Sequence, residues 1–370
     1  MMRNKTYACL CRFAALIFLG FACAGGTLSA DAANSAGDFS TVYFPVLPYQ
    51  ASPDTTAELV PVLSNHPLTG DHRGLERVIV AIHDLTRDPR QILNDVVQLA
   101  GDYNSKTLVL APQFYAETDI ARYADNLPDD GKHFASWTLG GWAQGDESIP
   151  GPQRKPLSSF SVIDILLLYL SDTSAFPDLK RIVLVGHGEG GRFVQAYAAT
   201  GRAPDALERQ NIAVSYVVAN APAYLYFTPI RFKGGKEGFG LPDSVACQNY
   251  NVWPYGLDGL NPYAKHVGVN AIKLNYSTRR MSYLTGANLA RSDPAPDGSC
   301  AAAAQGKDPL QRLAIYQLYL HNIFGDALGK NQKFSPVAKT GYDAKAALGS
   351  ACGMAMLFGD GYCPDVPQQP

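Results

Sequence analysis

Between Arg77 and Pro222 the chain alternates short aliphatic, β-branched runs with amphipathic stretches, and this alternation constrains the fold more than any other feature. Runs at 77–82, 107–110, 181–185 and 214–218 read as strands. The apolar spacing of Ile92, Leu93, Val96, Val97 and Leu99 predicts a helix over 89–102, and similar patterns predict helices over 158–170 and 191–200. Further on, the reading gives a strand at 280–284, a helix at 309–324, a weaker strand at 333–337 and a helix around 344–357; Ala301–Ala304 also reads as helical. Buried runs of Val, Ile and Leu separated by helices imply a mostly parallel, doubly wound sheet with helices on both faces, an α/β class. Two excursions, 113–156 and 223–273, interrupt the alternation and are expected to form lid-like insertions where binding surfaces are built.

The 370 residues carry 31 Lys plus Arg against 33 Asp plus Glu, a net charge of −2, so no basic surface for a phosphate backbone is expected and nucleic acid is excluded as a partner class. Arg3, Lys5 and Arg12 precede a short apolar run at 13–21, too brief to span a bilayer, and Ala30-Asp31-Ala32 has the small-x-small pattern of a cleavage site. Residues 1–32 therefore read as a signal peptide, with cleavage after Ala30 as the alternative, and 33–370 as a single domain carrying the two insertions. The expected location is secreted or periplasmic, without a transmembrane segment; Cys23 raises lipid anchoring as a lesser possibility. Four cysteines remain beyond the signal: Cys247, Cys300, Cys352 and Cys363. Of the three connectivities, Cys247 with Cys300 and Cys352 with Cys363 is expected; free buried thiols are the alternative, and zinc is disfavoured because no C-x-x-C pair is present.

The strand at 181–185 runs into Gly186-His187-Gly188-Glu189-Gly190-Gly191 and then a helix. Two motifs suit that setting. One is the Gly-x-Ser-x-Gly nucleophile elbow, whose small flanking residues allow a crowded turn. The other is the Gly-x-Gly-x-x-Gly turn that lets a pyrophosphate approach a helix N-terminus. The second needs the first strand of the fold and an acidic residue after the next one, and the chain has Ala219 and Asn220 there. The elbow suits the context, yet its central position is Gly188, which has no nucleophile, and no cofactor is expected.

Other segments carry a resemblance: Gly140-Gly141-Trp142-x-x-Gly145-Asp146, Asn220-Ala221-Pro222-x-Tyr224-Leu225-Tyr226, the stretch from Cys247 to Leu257, Ser299-Cys300-Ala301-Ala302, and Gly341-x-Asp343 with Cys352-Gly353 and Leu357-Phe358-Gly359. In these, over roughly 77–359, the chain resembles the secreted bacterial and fungal α/β-hydrolases related to esterases and polyester depolymerases. The resemblance implies an α/β-hydrolase fold. It also implies a catalytic triad whose positions here hold Gly188 for the serine, Leu289 for the acid and Tyr342 for the histidine, while Asp84 replaces a glycine in the oxyanion strand.

Seven histidines are present, and of these only His321 follows the strand at 280–284, where a general base would have to lie; it sits mid-helix. Losing the nucleophile or base of a triad costs on the order of 10⁶ in turnover. A pseudoenzyme with a ligand- or partner-binding role is therefore expected; the alternatives are an active hydrolase with a rewired, non-serine site and a purely structural role. His83, Asp84, Trp142, His187 and Glu189 are the candidate binding residues for an unidentified small molecule or protein. Asp84 and Glu189 are alternatively solvated or capping carboxylates, and a metal held by them with the two histidines fits no known spacing. The aromatic residues of the excursions either line a pocket or fill the lid interface.

Overall fold

The structure is a computed structural model, and it describes residues 39–48, 55–151, 154–235, 238–242, 247–288, 297–325, 328, 331–359 and 363. The expected signal segment, Cys23 and Leu289 lie outside the described residues.

Eight strands form the main sheet: β1 (Ser40–Val46), β2 (Glu58–Ser64), β3 (Arg77–Ile82), β4 (Thr107–Pro112), β5 (Arg181–His187), β6 (Ala213–Ala219), β7 (Arg280–Gly286) and β8 (Gln332–Val337). Their spatial order is β1-β2-β4-β3-β5-β6-β7-β8. All neighbours are parallel except that β2 runs antiparallel to both β1 and β4. The predicted strands are all present. β1 and β2, which precede Arg77, are additions that the sequence reading lacked.

Side chains of the central strands alternate between two apolar cores, as a period of two requires. From β3 and β5, Val78, Val80, Ile82, Ile182 and Leu184 face one core, and Ile79, Ala81, Val183 and Val185 face the other. The first is covered by α2 (Ser159–Leu170), α3 (Glu189–Thr200) and α5 (Pro309–Phe324), the second by α1 (Pro89–Ala100), α6 (Ala344–Leu348) and α7 (Ala351–Phe358). Helix α4 (Val269–Thr278) packs beside α3. Pro89 stands in the first turn of α1 after Asp88, whose carboxylate accepts the Arg90 N–H, so this helix starts as its sequence directs.

The single helix expected over 344–357 is two, α6 and α7, divided at Gly349-Ser350. Ser350 caps α7 by accepting the Gly353 N–H, and a Cβ at 353 would stand 2.1 Å from the Leu348 carbonyl oxygen. The turn between the helices needs that glycine. Helix α3 begins at Glu189, two residues before the expected start, and its cap comes from another element, as described below.

Disulfides join Cys247 to Cys300 and Cys352 to Cys363, the expected pairs. The first ties the 223–273 excursion to the short helix Cys300–Ala303. Among the described residues no helix is long and apolar enough to cross a membrane.

Candidate functional site

The turn after β5 works by close backbone approach. A Cβ at 186 would lie 2.0 Å from the Gly190 carbonyl oxygen, one at 190 would lie 2.3 Å from the Ile82 carbonyl oxygen, and one at 191 would lie 2.9 Å from that of Ala219. Between them Gly188 has φ +58° and ψ −122°, a conformation that side chains strain to adopt. Its N–H donates to the Ala219 carbonyl at 2.9 Å. This is the strand–turn–helix geometry of a nucleophile elbow.

The space above Gly188 is filled. A Cβ there would meet the Tyr342 hydroxyl at 2.2 Å and Asp84 Oδ1 at 2.4 Å. Asp84 leaves the end of β3, next to β5, and Oδ1 accepts the Glu189 N–H at 2.9 Å. In the elbow motif that N–H, from the residue after the nucleophile, holds the oxyanion. Asp84 thus caps α3 from across the site, where the helix N-terminus favours a negative charge. The Tyr342 hydroxyl donates to Oδ2 at 2.7 Å. Gly188, Asp84 and Tyr342 therefore converge, while Leu289 lies outside the described residues.

Around this centre the ring nitrogens of His83 and His187 are hydrogen-bonded within the fold. Phe114 donates its N–H to His83 Nε2 at 3.0 Å, which leaves the proton on Nδ1 to bind the Asp84 carbonyl at 2.9 Å. Burial pushes the His83 pKa down to about 4, against the Asp84 carbonyl and carboxylate, so the ring is neutral. His187 accepts from Asn220 Nδ2 at 3.1 Å, which places its proton on Nδ1, towards the Tyr342 backbone carbonyl. That Nδ1 is 3.8 Å from Asp84 Oδ2, and burial holds its pKa below the ordinary value although Asp84 pulls it upward.

Asn220, in a left-handed conformation at the end of β6, also accepts the Gly286 N–H and donates to the Gly341 carbonyl. It joins β5, β7 and the loop that carries Tyr342. An Asn at a strand end carries a weak signal for such a turn, since Asn tolerates positive φ. The Arg87–Asp119 pair, at 2.5 Å, braces the loop bearing Asp84, and nothing in the sequence pattern marks it.

Two of the expected binding residues lie in the core. His83 is 1% exposed with both ring nitrogens committed, and Trp142 is 0% exposed with its ring 4.4 Å from that of His83. Both pack into an aromatic cluster with Phe114 and Phe193. Glu189 lies 3.5 Å from the buried Arg192, which reaches Asp297 at 3.7 Å and stacks on Tyr255. Burial raises the Glu189 pKa, Arg192 opposes this, and Asp84 and Asp297 add to it. Trp137, Tyr224 and Tyr226 are fully buried and Trp253 and Tyr250 nearly so. His321 is exposed in the last turn of α5.

No family model and no curated protein matches the sequence. Solved structures do match its shape. The poly(3-hydroxybutyrate) depolymerase LpqC from Bordetella parapertussis aligns at 16% identity and a TM-score of 0.55, covering 89% of this chain and 92% of its own. Poly(aspartic acid) hydrolase-1 from Sphingomonas sp. KT-1 aligns at 16% identity and a TM-score of 0.51, covering 84% and 97%. The sheet order, the elbow after β5 and these similarities together establish that the chain has the α/β-hydrolase fold.

Proposed function

We propose that this is an exported α/β-hydrolase-fold protein that has given up serine-hydrolase chemistry and binds a small ligand or a partner at the carboxyl edge of its sheet. One observation carries the reading: the Asp84 carboxylate occupies the volume of a nucleophile's side chain and accepts the Glu189 N–H at 2.9 Å. An ester substrate would meet no nucleophile at 188 and a carboxylate where its oxyanion must form. The Tyr342 hydroxyl, bound to the same carboxylate, stands where the resemblance puts a general base. The two disulfides support an oxidising compartment, and the reading takes 33–370 as one domain after removal of residues 1–32.

The test is labelling by a serine-directed fluorophosphonate probe, run beside a panel of aryl and alkyl esters and a thermal-shift screen. Absence of labelling and of ester turnover, with a shift in Tm by some ligand that Asp84→Ala weakens, is the expected outcome. Stoichiometric labelling would overturn it.

A further inference from the structure

We infer that His187 and Asn220 form an acid-sensitive latch at the carboxyl edge of the sheet: a proton on His187 Nε2 parts the Asn220 bridge to Gly341 and releases the loop that carries Tyr342. This names the regulation of the binding edge proposed above and rests on that reading for its use, although not for its chemistry. Hydrogen-bond polarity fixes the latch. Asn220 is 2% exposed, and its amide bridges two backbone groups whose roles cannot change. Its Oδ1 accepts the Gly286 N–H at 2.8 Å, and its Nδ2 donates to the Gly341 carbonyl at 3.3 Å. The same Nδ2 donates to His187 Nε2 at 3.1 Å, so the buried ring has to be an acceptor there.

A proton on Nε2 sets two donors against each other. Turning the Asn220 amide over gives no relief, because its oxygen would then face the Gly341 carbonyl and its nitrogen the Gly286 N–H. One bridge has to open. Gly286 closes β7, a strand paired on both sides, whereas Gly341 lies in the turn between β8 and α6, so the turn gives way. Charge favours the same outcome. From the end of β3, Asp84 Oδ2 lies 3.8 Å from His187 Nδ1 and accepts the Tyr342 hydroxyl. A charged ring draws Oδ2 towards Nδ1 and away from that hydroxyl, so Tyr342 loses a second anchor. The loop itself faces the ring with Tyr342, edge-on at 4.5 Å and with its backbone carbonyl towards Nδ1, and with Asp343, whose carboxylate caps α6. Glu189 on α3 pairs with Arg192. Burial keeps the ring neutral at pH 7 against the pull of Asp84, the Tyr342 carbonyl and Asp343, so the latch is closed there and opens as pH falls.

The test follows the His187 ring by NMR, together with amide exchange of the mature protein, as pH is lowered from neutral. Asn288 reports the loop, since its N–H donates to the Thr340 carbonyl at 2.9 Å. Corrected for the intrinsic rate, its protection should fall about 10-fold, the worth of one hydrogen bond, in step with protonation of His187, while the β5 amides keep theirs. His187→Gln should remove that step. Asn220→Asp gives the ring a carboxylate partner and should raise the His187 titration midpoint by about one pH unit. The proposal is overturned by a loss at Asn288 that persists in His187→Gln, by protonation of His187 with no change at Asn288, or by a midpoint unmoved in Asn220→Asp. A ring that stays neutral until the whole fold is lost overturns it too. None of these outcomes touches the fluorophosphonate result; labelling by that probe removes the binding reading and leaves the latch.

Discussion

The turn after β5 and the segment after β6 both leave the sheet at its carboxyl edge, yet their backbones are held by different means. At the turn, glycines let backbone meet backbone, and a Cβ at 190 would stand 2.3 Å from the Ile82 carbonyl oxygen. Along 222–228 the backbone has no ladder and, apart from the Tyr226 N–H on the Tyr255 carbonyl, is held by buried side chains. Gln305 accepts the Tyr224 N–H at 2.8 Å and donates to its carbonyl at 2.7 Å. Gln195 accepts the Leu225 N–H, Tyr316 donates to the Leu225 carbonyl, and the Tyr319 hydroxyl accepts the N–H groups of Phe227 and Thr228. A backbone-held turn tolerates exchange of the side chain it presents, because presentation and support are separate. The elbow has its strand–turn–helix shape here with a glycine at the position that the turn presents.

The largest test of this contrast is Gly190→Ala. Its new methyl would press on the main-chain oxygens of Ile82 and His83, which belong to a central strand and the loop it feeds and cannot swing aside. A loss of about 4 kcal/mol or more is expected, seen as a fall in chemical-denaturation midpoint or as insoluble protein. Near-native stability would mean that the turn is looser than the glycine contacts imply.

Next comes Gln305→Leu, which strips two partners from one residue of the segment after β6. Gln305 is 0% exposed, so the Tyr224 N–H and carbonyl would be left buried and unpaired, at about 3 kcal/mol. The loss should localise: amide exchange around 222–228 should quicken while the elbow amides keep their protection. Uniform loss of protection would erase the distinction between the two regions.

These two supports were unequally legible in the sequence. The glycine run marked the elbow because close approach demands a specific residue type, and the strands around it were read correctly from their aliphatic runs. The support of 222–228 was hidden: Gln195 and Gln305 look like ordinary polar residues until burial is known, and their partners lie 30 and 81 positions away. The contact that fills the site joins Asp84 to Tyr342 across 258 positions, so the sequence showed two substitutions and not their union. β1 and β2 went unread because Pro45 and Pro61 interrupt them. Pairing of β2 with β4 begins at Val62, so the missing N–H of Pro61 is not needed on that side. The burial of His83 and Trp142 was not legible, because a residue at a strand end or in a glycine-rich loop can point into the core as readily as into a cleft.

Acid offers a probe of the elbow's underside. His83 carries a pKa near 4, below its ordinary 6.5, because burial penalises the charged ring. A depressed pKa contributes stability that is present above the unfolded value and lost as pH falls towards the folded one. Unfolding free energy should therefore decline between pH 6.5 and 4, with His83 accounting for up to about 3 kcal/mol of the change. His83→Gln should lie lower at neutral pH and show a shallower decline. Parallel curves would show that the protonation of this ring does not contribute.

Gly188→Ala gives the smallest and most discriminating effect, because its neighbours are side chains and not backbone. The new methyl would sit 2.2 Å from the Tyr342 hydroxyl and 2.4 Å from Asp84 Oδ1, in a backbone with φ +58°. About 2 kcal/mol is expected for the single change, part of it conformational and part of it crowding. Asp84→Gly alone removes the cap of α3 and should cost about 1 kcal/mol. Together the two should cost about 1 kcal/mol less than their sum, since the second removes the Asp84 carboxylate that the first strikes and releases the Tyr342 hydroxyl bonded to it. No comparable rescue exists at Gly190, where the obstacle is main chain. Strict additivity at 188 would mean that the glycine there answers to backbone conformation alone and that the carboxylate did not require it.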